Sequence, residues 1–308
     1  MSALHLQLWL LIELAIYALL GHWLFDWAPE RALLAGVLCL IALRVWQSLV
    51  TWAFAACHAE PDEPRPGLGQ ILREAAASLF TQLLVLPLPS LWMASGCPSL
   101  GARPLPSLWM PPDRIVAGRP IVLLVHGYGC NRAVWWLLRR RLEASGLTVA
   151  SVTLAPPFGS MGRMVPVLEA RIAALREQCR NAPIVLVGHS MGGLVCRSWL
   201  ARHGDRGDRG VRRLITTRPP SGGTALARYG WGQNSREMQI DSRWLQDLAH
   251  ERPGIPVIAL ENPLDNFIMP RARQRLSGAR NLSTAPTGHI ALLYDRNIAA
   301  QLISLCQD

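Results

Sequence analysis

The chain has 308 residues, half of them hydrophobic, and a formal net charge of +10 at pH 7. That length holds one large domain with an appendage, or two modest domains. Seven cysteines, an odd number without metal-type or framework spacing, exclude a disulfide scaffold and point to free thiols in a reducing compartment, while arginines dispersed away from stacking aromatics exclude a nucleic-acid module.

The apolar excess is concentrated at the N-terminus. Leu4 to Phe25 carries one full charge, Glu13, in 22 residues, and Ala32 to Ala56 carries one, Arg44, in 25. At about 1.5 Å per helical residue both exceed the ~30 Å hydrocarbon core of a bilayer. Only Asp26 to Arg31 separates them, so residues 1–57 are expected to form a transmembrane helical hairpin, with Trp23, Phe25 and Trp27 in an interfacial belt. A cleavable signal peptide fits poorly, because there is no basic leader and a second apolar segment follows at once. Glu13 and Arg44 fall near mid-span, where isolated charge is costly, and are expected to face each other or protein. The positive-inside rule sets Arg31 in the connection against Arg65 and Arg73 beyond the hairpin, which leans the rest of the chain toward the cytoplasm. All 31 basic residues are arginine: 5 against 8 acids up to Asp113, then 26 against 13. A basic domain beside a membrane favours anionic headgroups, although dispersed arginines read most simply as a solvated surface, and so does the run Arg139, Arg140, Arg141.

Residues 58–119 read as a linker. His58 to Gly69 is rich in Pro, Glu, Asp and Gly; Ala75 to Met93 is apolar but interrupted by Pro87 and Pro89, suiting the membrane interface or a greasy lip on the following domain. Cys97 to Pro120, with six prolines, leads into a domain over 120–308. There strands and helices alternate: strand Ile121 to Val125, helix Ala133 to Ala144, strand Leu147 to Leu154, helix Val167 to Cys179, a strand from Ile184, helix Leu194 to His203, strand Val211 to Thr217, an irregular stretch, strand Ile255 to Leu260, a short strand near Asn281 to Ala285, and helix Arg296 to Cys306. Near-continuous apolar strands in this rhythm imply a parallel sheet covered on both faces, with reacting groups at the carboxyl ends of its strands.

The run from Pro183 to Gly193, PIVLVGHSMGG, is a buried strand breaking into a turn that carries Ser190, with a helix beyond it. Gly188 and Gly192 let strand and helix approach closely around a strained serine. Three other strand ends carry polar residues of the right type: His126-Gly127-Tyr128, Asp265 and His289. A serine hydroxyl becomes nucleophilic when an imidazole takes its proton, and the imidazole needs a carboxylate on its other nitrogen. Ser190, His289 and Asp265 take those roles in chain order, with Glu261, nearer its strand end, as the alternative acid. The oxyanion formed by attack on a carbonyl needs preorganised donors, expected from the backbone N–H groups of Met191 and Tyr128. His126 is expected to support the oxyanion loop, and His189 to pack the turn. Thr224 to His250, with Trp231 and Trp244, is expected to cap the pocket. Nothing in this chemistry requires a cofactor or a metal.

VLLVHGYG, GHSMGG, ENPLDNFIMP and TGHIALL together resemble the α/β-hydrolase superfamily, and more narrowly bacterial lipases and esterases, over about Pro120 to Leu305. The resemblance implies an α/β-hydrolase fold and serine hydrolase chemistry; it covers neither the N-terminal hairpin nor the substrate. Taken with the hairpin, the expectation is a membrane-anchored serine ester hydrolase, in a bacterial inner membrane, acting on an acyl ester or lipid substrate. A thioesterase, acyltransferase or amidase using the same three residues, or a non-catalytic scaffold retaining the shell, are the alternatives, and the oligomeric state stays open. PPSGGTALARYGWGQNSREM is similar to the Pro-His-x-Gly-Thr segment of those lipases, but Ser221 and Gly222 stand where histidine is usual, so no role for that histidine carries over. No aspartate pair matches the calcium site some of them hold.

Overall fold

The apolar runs that begin at Ile121 become six parallel strands in the computed structural model, which describes residues 3–87, 119–179, 182–203, 210–251 and 253–307. They are β1 (Ile121–Val125), β2 (Thr148–Val152), β3 (Ile184–His189), β4 (Val211–Thr217), β5 (Val257–Glu261) and β6 (Arg280–Ser283), in spatial order β2-β1-β3-β4-β5-β6. Every residue of β1, β2 and β3 is buried. Their side chains alternate between two cores. Ile121, Leu123, Val125, Ile184 and Leu186 face one; Val122, Leu124, Val185 and Val187 face the other. The chain turns in opposite directions from β1 to β2 and from β3 to β4, so the topological switch lies between β1 and β3, where a parallel sheet opens its crevice. Val125 pairs with Gly188 at that point, which sets the loop after β1 beside the turn after β3.

The hairpin is present as α1 (Ala3–Phe25) and α2 (Pro29–Cys57), both long and apolar enough to cross a membrane. Ala32, Gly36, Leu40, Arg44, Ser48, Trp52 and Ala55 form the buried stripe of α2 at near-fourfold spacing, the ridge one helix presents to another. Gly36 permits the contact, since a Cβ there would lie 3.0 Å from Leu14 Cδ1. Both guanidinium Nη atoms of Arg44 donate to the Glu13 carboxylate, which also accepts from Tyr17 Oη at 2.8 Å, so these two mid-helix charges neutralise each other inside the hairpin. The opposite faces, including Trp9, Leu11, Leu19 and Leu34, are exposed.

Past a short connection, α3 (Leu68–Phe80) runs on as a π-helical turn over Thr81–Val85 and packs against α2 and against the segment Ala291–Tyr294. The apolar segment expected over Ala75 to Met93 is therefore helical as far as Val85, with Leu86 inside the second core. Its remainder, and nearly all of the proline-rich lead-in, lie outside the described residues. Among the described residues the further α-helices are α4 (Trp136–Ala144), α5 (Met161–Gln178), α6 (Met191–His203), the short α7 (Gln233–Glu237) and α8 (Arg243–Ala249), and α9 (Arg296–Gln307). The structure differs from the sequence expectation in several places: α6 starts at Met191 rather than Leu194, and the stretch expected to be irregular before β5 holds α7 and α8. Helix α5 starts six residues before Val167, capped by Ser160 Oγ on the N–H of Gly162 at 3.1 Å, and carries Pro166 inside it. The run Arg139 to Arg141 is not a purely solvated face: Arg139 Nε donates to Glu143 Oε1 at 2.8 Å and Arg141 Nη1 to the Tyr294 carbonyl at 2.9 Å.

Candidate active site

Ser190 sits between β3 and α6 with φ of +53°, in the left-handed region that a side chain rarely adopts. Two glycines make that turn sterically possible. A Cβ on Gly192 would collide with the carbonyl oxygens of Val125 and His126, and one on Gly188 would lie 2.7 Å from Gly193 Cα. The Ser190 N–H continues the sheet ladder by donating to the Thr217 carbonyl at 2.9 Å. Met191 is the first residue of α6, so its N–H is one of the donors a helix cannot satisfy internally.

The loop after β1 closes over this turn. A Cβ on Gly127 would lie 3.1 Å from Ser190 Cβ and 3.6 Å from its Oγ, so glycine allows the close approach of this loop to the serine. His126 braces the loop. Its Nε2 faces the N–H of Leu154 at 2.9 Å and must accept, so Nδ1 carries the proton and donates to the Gly127 carbonyl at 2.8 Å. Burial, opposed by that bond, lowers its pKa from 6.5 to about 4. The Tyr128 hydroxyl reaches the segment after β4, donating to the Trp231 carbonyl at 2.8 Å and accepting its N–H at 2.7 Å. That segment, expected to cap the pocket, comprises the 3₁₀ turn Ala225–Tyr229 with α7 and α8, and Asn234 Nδ2 contacts Met191 Sδ at 3.3 Å.

His289 and Asp265, 24 residues apart, meet directly. Nδ1 of His289 lies 2.8 Å from Oδ2 and 3.1 Å from Oδ1 of Asp265, and Oδ1 also accepts the N–H groups of Phe267 and Ile268 at 2.8 Å. Both side chains are almost wholly buried. Burial alone would raise the Asp265 carboxyl, but the attraction of His289 and Arg218 and the bond from Phe267 outweigh it and hold the group below the usual carboxylate range. The imidazole is stacked on Phe267, with ring centroids 4.8 Å apart, and lies 4.7 Å from the ring of His189, the residue before Ser190. Its backbone N–H donates to Asn266 Oδ1 at 2.9 Å. Glu261, the alternative acid, lies apart from this pair, with Oε2 3.8 Å from Arg275 Nη1.

Two charged residues that the sequence reading did not single out complete the site. Arg218, immediately after β4, is 0% exposed with φ of +53°; its Nε is 3.6 Å from Asp265 Oδ2 and its Nη1 donates to the Gly288 carbonyl. Burial lowers its pKa to about 10 against the pull of Asp265 and Glu74. Glu74 of α3, also 0% exposed, accepts the backbone N–H groups of Ile290 and Ala291. In the sequence one was a single arginine among 31 and the other a lone acid just before the apolar stretch. The one available signal was the position of Arg218 at a strand end.

A strained serine at the switch point, a glycine-bearing loop over it, and a histidine–carboxylate pair at later strand ends are a geometry suited to nucleophilic acyl chemistry. The Alpha/beta hydrolase family matches residues 122–301, more than half of the chain, and the protein belongs to that family. Among curated proteins, none matches the chain in sequence. Solved structures give the same fold at low identity. A Bacillus licheniformis lipase, BlEst2 in mature form, is 17% identical with a TM-score of 0.56 over 63% of this chain and 94% of that one. Aspergillus fumigatus lipase B is 11% identical with a TM-score of 0.58 over 97% and 85%. The phospholipase PlaB from Legionella pneumophila is 13% identical with a TM-score of 0.53 over 62% and 60%.

Proposed function

We propose that the protein is a membrane-anchored serine ester hydrolase of the lipase or carboxylesterase kind. The observation that carries this reading is the His289–Asp265 bond of 2.8 Å, with the His289 ring 4.7 Å from that of His189, the residue before Ser190 with its φ of +53°. Asp265 fixes the proton on Nδ1 and stabilises the imidazolium, which leaves Nε2 to take the Ser190 proton as Oγ attacks the acyl carbonyl. The N–H groups of Met191 and Tyr128 receive the oxyanion, each donor worth about 3 kcal/mol of transition-state stabilisation. The imidazolium returns its proton to the departing alcohol, leaving an acyl-enzyme on Ser190. Water, activated by the same Nε2, then releases the acid. No cofactor or metal enters these steps.

Division of labour along the chain follows: 1–57 anchors, 58–119 connects, and 120–308 catalyses. The apolar spans His5–Phe25 and Pro29–Cys57, 21 and 29 residues long, measure roughly 32 and 44 Å as helices, enough to span the ~30 Å hydrocarbon core. Held beside a bilayer, the site receives a long acyl chain without passage through water, and the arginine balance around the hairpin favours a cytoplasmic catalytic domain. The names of the similar folds, two lipases and a phospholipase, agree with an acyl ester or lipid substrate. The test is hydrolysis of p-nitrophenyl esters of rising chain length, set beside an acyl-CoA and a phospholipid, by the wild type and Ser190→Ala. Ester turnover that rises with chain length and vanishes in the variant is the expected result. Turnover that survives Ser190→Ala removes the serine from its role, and a preference for the acyl-CoA reassigns the enzyme as a thioesterase.

A further inference from the structure

Helix α3 precedes the matched hydrolase region, yet its polar side chains reach into the catalytic loops. Glu74 accepts the N–H of Ile290 at 3.0 and 3.1 Å through its two oxygens and that of Ala291 at 2.8 Å through Oε2. These are the two residues that follow His289. On the other side, Gly288 is glycine because a Cβ there would collide with the Glu74 carboxylate. Neighbouring contacts converge on the same loops. Thr51 of α2 accepts from Asn266 Nδ2 at 2.8 Å, and Asn266 in turn holds the His289 N–H. Glu63 pairs with Arg271 at 2.8 Å, whose Nε donates to the Asp265 carbonyl at 3.0 Å.

A fully buried carboxylate is costly unless its lone pairs are occupied, and here backbone amides of the histidine loop occupy them, with Arg218 close enough to oppose its charge. Burial raises the Glu74 pKa, and the two amides, His289 and Arg218 pull against that rise. A surface anchor for the hairpin needs no such buried charge. We propose that Glu74 is a positioning residue for His289: by clamping the amides of Ile290 and Ala291 it fixes the imidazole on the line between Asp265 and Ser190. This rests on the reading of His289 as the general base. It makes the segment between the hairpin and the hydrolase domain part of the catalytic apparatus.

The test uses the full-length protein in detergent. Glu74→Gln keeps the shape but turns an NH₂ donor toward amide donors, and Glu74→Asp keeps the charge but withdraws it by one methylene. A misplacement of about 1 Å in a reacting group costs on the order of 100-fold, so Glu74→Gln is expected to lower kcat by about 10- to 100-fold with KM little changed, and Glu74→Asp by less. The downfield proton resonance of His289 Nδ1–H, assigned by its loss in Asp265→Ala, should shift or broaden in both variants. Glu143→Gln on α4 is the control and should behave as wild type. If Glu74→Gln does not fold, Glu74→Asp carries the test alone. A folded variant with wild-type kcat, or with an unmoved imidazole resonance, overturns the proposal. The resonance does not depend on turnover, so an inactive wild type whose resonance still moves would count against the ester-hydrolase reading and leave the positioning role standing.

Discussion

Replacing His126 by glutamine should remove a pH dependence of stability whose size follows from the loop it braces. In the folded protein the ring must be neutral, because protonating Nε2 would set it against the Leu154 N–H, and burial lowers the pKa from 6.5 to about 4. Above pH 6.5 the folded and unfolded chains both hold a neutral ring and nothing is lost. As the pH falls below 6.5 the unfolded chain binds the proton first, so stability declines by about 1.4 kcal/mol per unit. The decline ends near pH 4, where the folded ring also protonates. The difference between 6.5 and about 4 gives a total loss of about 3 kcal/mol. For a domain of this size that is roughly 6–12 °C in Tm. A glutamine oxygen can still accept from Leu154 but does not titrate. Thermal unfolding in detergent from about pH 7.5 to about pH 4 should therefore show wild type and His126→Gln converging as the pH falls, with the wild type losing more. His189 is common to both and cancels in the difference. A difference independent of pH, or one that grows in favour of the wild type at acid pH, would refute the reasoning.

Asp265→Asn should lower kcat by on the order of 10⁴-fold through loss of the tautomer that Nδ1 needs, while Glu261→Gln, whose partner Arg275 is mostly exposed, should leave kcat nearly unchanged; steady-state kinetics on one ester separates the two acids. Gly192→Ala should fail to accumulate as folded protein, because its Cβ meets two carbonyl oxygens of the neighbouring strand end, and size-exclusion chromatography of the expressed protein reports it. Glu13→Leu alone should cost about 3–5 kcal/mol by stranding Arg44 within the hairpin, whereas Glu13→Leu with Arg44→Leu should be nearly neutral, as read from thermal stability in detergent.

The turn at Ser190 was legible in the sequence because its determinants are local: glycines two residues either side of the serine, an apolar strand before it and a helix after it. Asp265 and His289 were legible from their places after strands, their chain order and the segments ENPLDNFIMP and TGHIALL, without any sequence signal that they touch. Glu74 and Arg218 were hidden for a physical reason. A buried charge is recognisable only by its partners, and here those partners are 144 residues away for the Glu74–Arg218 neighbourhood and more than 200 for the amides of Ile290 and Ala291. Composition favoured a solvated arginine surface, yet Arg171, Arg197 and Arg218 are all buried, because a long side chain can pass its stem through apolar packing to reach a carbonyl. The start of α5 was misplaced for the opposite reason: a proline that usually opens a helix lies inside one already nucleated by the Ser160 cap.

The most direct measurement is the site of covalent attachment of a fluorophosphonate probe to the purified full-length protein, mapped by mass spectrometry of its peptides. A single phosphonyl adduct on Ser190, absent when Asp265 or His289 is replaced by alanine, is the predicted result. An adduct on another residue, or one whose rate of formation is indifferent to both replacements, would contradict a serine activated by the His289–Asp265 pair.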